Sequence, residues 1–549
     1  MRYFIVLVMS GLLFSGCKVN DSKVDADAQV ADNDQYIQQD NDKNDDGLPD
    51  GDGADDEVTV PDADADGVSV NDDNTNDIDA ADEDDDNAVY DPDIDDSDTE
   101  IPGDDDTVCP FVAEPEPAGE DPLNTVADAG VVEAVVNGSF TDHFLYSNSA
   151  KTFKIGVREQ WGSSIVFLGF ANNANSNVID ANDTGREVQI AIYDPDRIMQ
   201  NCAWNASCQT TPTECAGSIT FLGWNPVQGG NRCNNGSPTE WITGGSGLMT
   251  SSVVPYQWNP AWDRSDCFSD ICSDNSYNHR LSDMRYIQKI RWVGSNVVEI
   301  KMTVNNLTDI ERKPTLQEFP TLYVPYGAHG LQNYNTLLDS TGAQVAIDVP
   351  ANDGFYMKNF ESPGGWTTLQ MASKEYGVGI YYENRTDLFQ GWQKAGVFNN
   401  VRSRITFGLP ANGTVNARAY LILGGFETVK SLAEGLDASI APFGYLDSPV
   451  EDAEITGDLL GIGGWVLDNK GVAKVEVFID DVMKGEVPVN AERADVCKVW
   501  PGYSMCPGAG YSGNIDISGL TKCAHIIEIK ATDTDSNVRT IARKRFYKL

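Results

Sequence analysis

Basic charge is what this chain most lacks. It has 38 lysines and arginines against 85 aspartates and glutamates, and a net charge of −47. Nucleic-acid binding by charge needs a basic footprint, so that class is excluded. The same shortage disfavours a polybasic mode of membrane attachment. No apolar run approaches the ~20 residues of a spanning helix. Histidine is scarce as well: only His143, His279, His329 and His525 are present, which narrows the acid–base chemistry open to the chain. The GxSxG, P-loop and HExxH signatures do not occur. What is present is 549 residues, 41% of them hydrophobic, with 11 tryptophans. That is enough for a sizeable core and, at roughly 100–200 residues per domain, for two to four domains.

The charge is uneven. Residues 18–107 carry 35 acidic residues and only Lys18, Lys23 and Lys43, so about two-thirds of the net charge lies there. This segment has almost no aromatics and few branched apolar residues. It cannot bury enough surface to offset chain entropy, and like charges extend it. It reads as a disordered acidic tether. Ahead of it, Arg2 is a short positive region and residues 3–14 are apolar, too short to span. Phe14-Ser15-Gly16-Cys17 follows. It resembles the lipobox of bacterial lipoproteins, with Phe14 where Leu is usual. The resemblance implies that residues 1–17 are a lipoprotein signal whose Cys17 is acylated. Lys18 follows the cysteine rather than Asp, which implies the outer membrane, with acyl chains as the only membrane contact.

Within the tether, Asp42, Asn44, Asp46 and Asp50 form a DxNxDGxxD pattern around Gly47, and Asp62, Asp64 and Asp66 precede Gly67. Alternating oxygens around a glycine turn suit calcium, and the first pattern resembles a thrombospondin type 3 repeat. Such matches also arise readily in an Asp-rich spacer. Weak calcium binding and a merely solvated spacer both stay open, and no other cofactor is expected. Export predicts disulfides. Apart from Cys17 there are ten cysteines: Cys109, Cys202, Cys208, Cys215, Cys233, Cys267, Cys272, Cys497, Cys506 and Cys523. No paired CxxC spacing favours zinc instead.

From about residue 120 the pattern turns to strands. Val298, Ile300, Met302 and Val304 alternate with Glu299, Lys301 and Thr303, the mark of a half-buried strand. Residues 164–170, 417–423 and 474–479 read the same way. Turns at Asn137-Gly138, Gly229-Gly230 and Asn412-Gly413 punctuate them. The best helical stretch is 428–436. The fold class is therefore all-β: a large antiparallel sandwich over 120–446 and a small one over 450–549, with Pro449-Val450-Glu451 as the joint. Gly464-Trp465-Val466-Leu467-Asp468, Gly471-Val472-Ala473-Lys474-Val475-Glu476-Val477 and Ala531-Thr532-Asp533 resemble a bacterial immunoglobulin-like module, which implies a spacer or adhesive element. Its three cysteines are an odd number, so one either pairs with Cys109 or stays free.

In the larger part, five segments stand out: Glu159-Gln160-Trp161-Gly162, Asn182-Asp183-Thr184-Gly185-Arg186-Glu187-Val188-Gln189, Trp224-Asn225-Pro226-Val227-Gln228, Gln317-Glu318-Phe319-Pro320 and Tyr376-Gly377-Val378-Gly379. In this order they resemble secreted bacterial sandwiches of the galactose-mutarotase-like and polysaccharide-lyase-like kind. The resemblance implies a supersandwich that takes carbohydrate or polysaccharide as ligand or substrate. The residues point the same way. Beyond Gly185, Val188, Ile190 and Ile192 share one strand face, and Glu187 and Gln189 share the other. Arg186 and Asp183 stand near the strand's start. Forked donors and acceptors match sugar hydroxyls, and Trp224 with Asn225 and Gln228 adds an aromatic plane with a polar rim. The bland reading is that the tryptophan is core and the Asp-Thr-Gly turn only shapes a loop.

Catalysis would need more. The carboxylates available are Glu187 and Glu318, with Arg186 for an anionic sugar and Tyr326 or His329 to move the proton. A mutarotase's paired histidines are not found. Three readings follow: a lipid-anchored surface protein that binds glycan without turnover, a polysaccharide lyase or hydrolase, or a purely structural surface protein. The first two require the named polar groups to gather over one exposed sheet surface.

Overall fold

The computed structural model describes residues 112–116, 119, 121–182, 186–200, 219–224, 236–245, 247–256, 281–327, 332–351 and 354–549, without the side chains of 194–200 and 219–224. The lipobox with Cys17, the calcium-like aspartates Asp42, Asn44, Asp46 and Asp50, and Asp183, Asn225, Gln228 and His329 lie outside them.

The chain is all-β. Its strands are β1 (Val132–Asn137), β2 (Phe140–Tyr146), β3 (Phe153–Arg158), β4 (Ser164–Phe170), β5 (Val188–Gln200), β6 (Ile219–Trp224), β7 (Thr239–Gly245), β8 (Leu248–Val253), β9 (Met284–Gly294) and β10 (Val297–Asn306). There follow β11 (Arg312–Pro325), β12 (Thr336–Asp339), β13 (Val349–Pro350), β14 (Tyr356–Glu361), β15 (Trp366–Gln370), β16 (Gly377–Tyr382), β17 (Leu388–Lys394), β18 (Phe398–Ser403), β19 (Ile405–Leu409) and β20 (Thr414–Leu423). Helix α1 (Phe426–Ser439) leads to β21 (Phe443–Ser448), β22 (Ala453–Ile455), β23 (Leu459–Leu467), β24 (Val472–Ile479), β25 (Val482–Val487) and β26 (Val489–Ala491). Helix α2 (Ala494–Val499), β27 (Gly510–Asp516), β28 (Ala524–Asp533) and β29 (Val538–Lys548) complete the chain.

Two large sheets stack. One has the order β1-β2-β3-β4-β5-β11-β18-β17-β14-β13, with β19 on β11 and β6 on β5; the other runs β12-β15-β16-β20-β10-β9-β8-β7. Their facing sides share one core, to which Leu145, Val188, Ile190, Leu322 and Val401 come from the first sheet and Val298, Ile300, Met302, Val378 and Leu421 from the second. The alternation of β10 thus does what its sequence predicts on the inner side. On its outer side the structure differs from the half-exposed expectation: Glu299 is only 1% exposed. The reason is a second layer. Phe426, Val429, Ala433, Leu436 and Ile440 recur at helical spacing along one stripe of α1 and pack on Tyr381, Tyr420 and Ile422. Gly379 of β16 makes room, because a Cβ there would run into Val429. The helix contains the expected 428–436 stretch and extends it at both ends.

The C-terminal sandwich pairs a sheet β21-β23-β27-β26 with a sheet β22-β29-β28-β24-β25 around Leu460, Val466, Val475, Val477, Ile527 and Phe546. Its first strand starts at Phe443, ahead of the expected joint at 449–451. Cys497 and Cys506 form a disulfide, and Cys523 is also disulfide-bonded.

The two sandwiches are locked together rather than strung apart. Glu383, fully buried at the end of β16, accepts from Arg418 Nη1 (2.9 Å), Tyr420 Oη (2.5 Å) and, across the boundary, Tyr503 Oη (2.9 Å). Arg418 lies over the rings of Phe443 and Trp500. Asn384 Nδ2 donates to Pro501 O, and Asn469 Nδ2 to Tyr381 Oη and Asp437 O.

Beside this boundary, Asp468 is 1% exposed. Its Oδ1 accepts from the amides of Lys470 and Gly471, and its Oδ2 has no partner among the described residues. Burial, with Asp533 and Glu383 nearby, pushes its carboxyl from the ordinary 3.8 up to about 7 despite those two amides. A raised acid holds its proton in the folded chain after the unfolded chain has released it. Stability therefore falls as pH rises from about 4 to about 7, by up to ~1.4 kcal/mol per unit. Asp468→Asn keeps the amide acceptor and removes the charge. We expect its thermal midpoint to exceed the wild type's at pH 8, and the gap to narrow as pH falls below about 7 and to close near pH 4. A gap that widened on acidification would refute this assignment.

Candidate functional site

The site is built on the outer face of the large sheet, where β5, β11, β18, β17 and β14 lie side by side. On β5 the inner set is Val188, Ile190 and Ile192, so Glu187, Gln189, Ala191 and Tyr193 take the outer side. On β11, Glu318 sits opposite Ala191, and Thr321 opposite Gln189. Three steps on β11 are thus matched by two on β5. This bulge, at Phe319-Pro320, turns both Glu318 and Thr321 to the outer face, while Phe319 fills the core. Thr321 in turn faces Arg402 of β18, and Arg402 faces Gln390 of β17, which faces Asn359 of β14. A single row of polar side chains crosses five strands.

Arg402 is its hub. Its guanidinium is paired with Glu318 and donates through Nε (2.9 Å) and Nη2 (2.7 Å) to Gln390 Oε1. That oxygen also accepts from Trp392 Nε1 (2.7 Å), and Gln390 Nε2 donates to Asn359 Oδ1 (2.9 Å). Tyr193 Oη donates to Glu318 Oε1 (3.0 Å). Asn400 Nδ2 donates to Thr321 Oγ1 (2.6 Å) and to the Leu322 carbonyl (3.1 Å). A carbonyl only accepts, which fixes which end of the Asn400 amide is nitrogen. Asn400 Oδ1 and Gln189 Oε1 are then buried acceptors with no hydrogen-bond partner among the described residues. Such an atom costs about 1–3 kcal/mol unless something donates to it. Arg186 lies over the Phe398 ring, 5.2 Å from its centre.

Four of the residues expected from the sequence therefore share this region: Arg186, Glu187, Gln189 and Glu318. The expected exposure does not hold, since they are 2%, 0%, 4% and 2% exposed. Charges tolerate this when paired, and Arg402 supplies the pair for Glu318. Tyr326 is not brought in. It lies past the end of β11, eight residues from Glu318, or roughly 26 Å at strand rise; its amide donates to Val397 O at the sheet's far end. Trp224 closes β6 opposite Ile192. Glu187 and Glu318 stand about four residues apart along β5, roughly 13 Å.

Neither described histidine serves this face. His143 Nε2 lies 3.2 Å from Glu159 on β2, separated from β5 by β3 and β4, and His525 is held by Asp480 and Thr521 in the C-terminal sandwich. Among the described residues, no three histidines, cysteines or carboxylates converge as a metal set. The residues that sequence reasoning missed are Tyr193, Thr321, Gln390, Trp392, Asn400 and Arg402. Their signal was polar alternation inside apolar strands, in Phe389-Gln390-Gly391-Trp392 and Phe398-Asn399-Asn400-Val401-Arg402.

No protein-family model matches the chain, and no curated protein matches it by sequence. Solved structures that it resembles include a polysaccharide lyase (TM-score 0.27, 7% identity, covering 78% of this chain and 47% of that one). Others are a galactose 1-epimerase from Lactobacillus acidophilus (0.28, 9%, 55% and 99%) and a heparan sulfate lyase from Pedobacter heparinus (0.23, 8%, 61% and 41%). The matched part of the chain spans about half the length of the polysaccharide lyase.

Proposed function

We propose that the outer face of the large sheet binds carbohydrate without turnover. The observation that carries this reading is the pair of buried amide oxygens, Gln189 Oε1 and Asn400 Oδ1, set in a row of forked polar side chains and lacking donors among the described residues. Sugar hydroxyls supply donors of the kind these oxygens take, and the buried rings of Trp392 and Phe398 lie on the same side of the sheet. The resemblance of the sequence motifs to carbohydrate-handling sandwiches supports the same class. The commitment of Glu318 to Arg402 speaks against its acting in hydrolysis.

The test is calorimetric titration of the full chain with a panel of neutral and acidic polysaccharides. Gln189→Met removes one acceptor and keeps the volume. It is expected to weaken the bound glycan about tenfold, the value of one hydrogen bond of ~1.4 kcal/mol, with the ligand-free thermal midpoint at or above the wild type's. New reducing ends, or the absorbance of an unsaturated uronate, would overturn the reading without turnover.

The rest of the reading concerns placement. We propose further that Cys17 is acylated, that residues 18–107 tether the chain to the outer membrane, and that aspartates of the tether bind calcium weakly. Metabolic labelling with palmitate tests the first of these.

A further inference from the structure

The second large sheet also has an outer face, and part of it is left uncovered where the C-terminal sandwich meets it. A cleft of about 400 Å³ opens there. Its floor is Lys289, Lys301, Thr303, Asn416 and Arg418 of β9, β10 and β20; its wall is Tyr445, Trp465 and Trp500 with Phe443. Among the described residues no carboxylate lines it, in a chain of net charge −47. Lys289 is exposed, and Tyr445 is 52% exposed. Lys544 covers one side of the Tyr445 ring at 4.7 Å.

A second observation shows how the cleft treats an anion. Asp121 lies at its edge, 3.5 Å from Arg291 Nη1 and 3.8 Å from Lys301 Nζ. Burial pulls its carboxyl upward, yet Arg291, Lys301, Arg418 and Lys289 outweigh that and hold it below the ordinary range. The buried Glu299 and Glu383 sit on the same side, paired to Arg291 and Arg418. Asp121 is held low with both of them in place.

We propose that this cleft is a second binding site, for an acidic sugar that bears a carboxylate or a sulfate. The two lysines take the anionic group, and Tyr445 and Trp465 take the apolar face of the ring. Thr303 and Asn416, hydrogen-bonded to each other at 2.7 Å, face the hydroxyls. The size suits one or two sugar units. This site is distinct from the row around Arg402 and does not depend on it.

The experiment is calorimetric titration of the full chain with tetragalacturonate, a chondroitin sulfate tetrasaccharide, a neutral galactose tetramer and tetra-aspartate. At least one acidic sugar is expected to bind, more weakly as salt rises, whereas any binding of the neutral tetramer is expected to be insensitive to salt and to Lys289→Ala. Lys289→Ala and Tyr445→Ala, both at exposed positions, are each expected to weaken that binding at least fivefold, while Gln189→Met leaves it unchanged. Failure of both acidic sugars to bind overturns the proposal. So does binding that survives Lys289→Ala and Tyr445→Ala, or tetra-aspartate binding as tightly as the sugars, since charge alone would then account for it. Loss on Gln189→Met would place the ligand at the other site and would also overturn it.

Discussion

Arg402→Ala is expected to cost about 3–5 kcal/mol of folding stability, the usual result of breaking one half of a buried ion pair. The reason is what stays behind. Glu318, 2% exposed, keeps only the Tyr193 hydroxyl as described neutraliser, and Gln390 Oε1 loses two of its three donors. Most of the loss is the cost of an unpaired buried charge rather than the worth of the pair. Arg402→Ala combined with Glu318→Gln should therefore recover a large part of it. Urea unfolding followed by far-ultraviolet circular dichroism on the two single variants and the double variant gives the coupling directly. A single-variant loss under about 1 kcal/mol, or a double variant as unstable as the sum of the singles, would show that Arg402 is not the hub.

Glu383→Ala strikes the other buried network. It removes the nearer of two carboxylates beside Arg418, with Glu299 at 3.5 Å, and takes the acceptor from the hydroxyls of Tyr420 and Tyr503. The expected loss is again about 3–5 kcal/mol. It falls on the boundary between the sandwiches, because Tyr503 belongs to one and Arg418 to the other. Scanning calorimetry should show one transition in the wild type and two in the variant, the earlier one being the C-terminal sandwich coming free. Glu383→Gln, which keeps the shape and one acceptor, should fall between them. An unsplit transition at the wild-type midpoint in Glu383→Ala would mean that the apolar contacts of Phe443 and Trp500 suffice to hold the two parts.

The strands were legible because period-two alternation is a local signal. Residues 164–170 form β4, and Val298, Ile300, Met302 and Val304 turn inward. The two faces of β5 were legible for the same reason, which is how Glu187 and Gln189 could be placed together. Register was not legible. Nothing in Gln317-Glu318-Phe319-Pro320 states that a bulge will turn Glu318 beside Arg402, because that depends on which strand pairs with which, and at what offset. The burial of Glu299 and Glu383 was hidden for a related reason. It is imposed by α1 and by a sandwich whose strands lie far along the chain. Alternation says which side of a strand is greasy; it does not say whether the other side will meet water or another layer.

The row of amides around Arg402 is enclosed, and that sets a tempo. On the proposed reading, a glycan would reach Gln189 and Asn400, which are buried, only through a local opening of the fold, so arrival would be gated and its observed rate would level off as concentration rises. The same gate holds the ligand once it has closed. Residence time then follows how often the enclosure breathes, more than how many contacts the sugar makes.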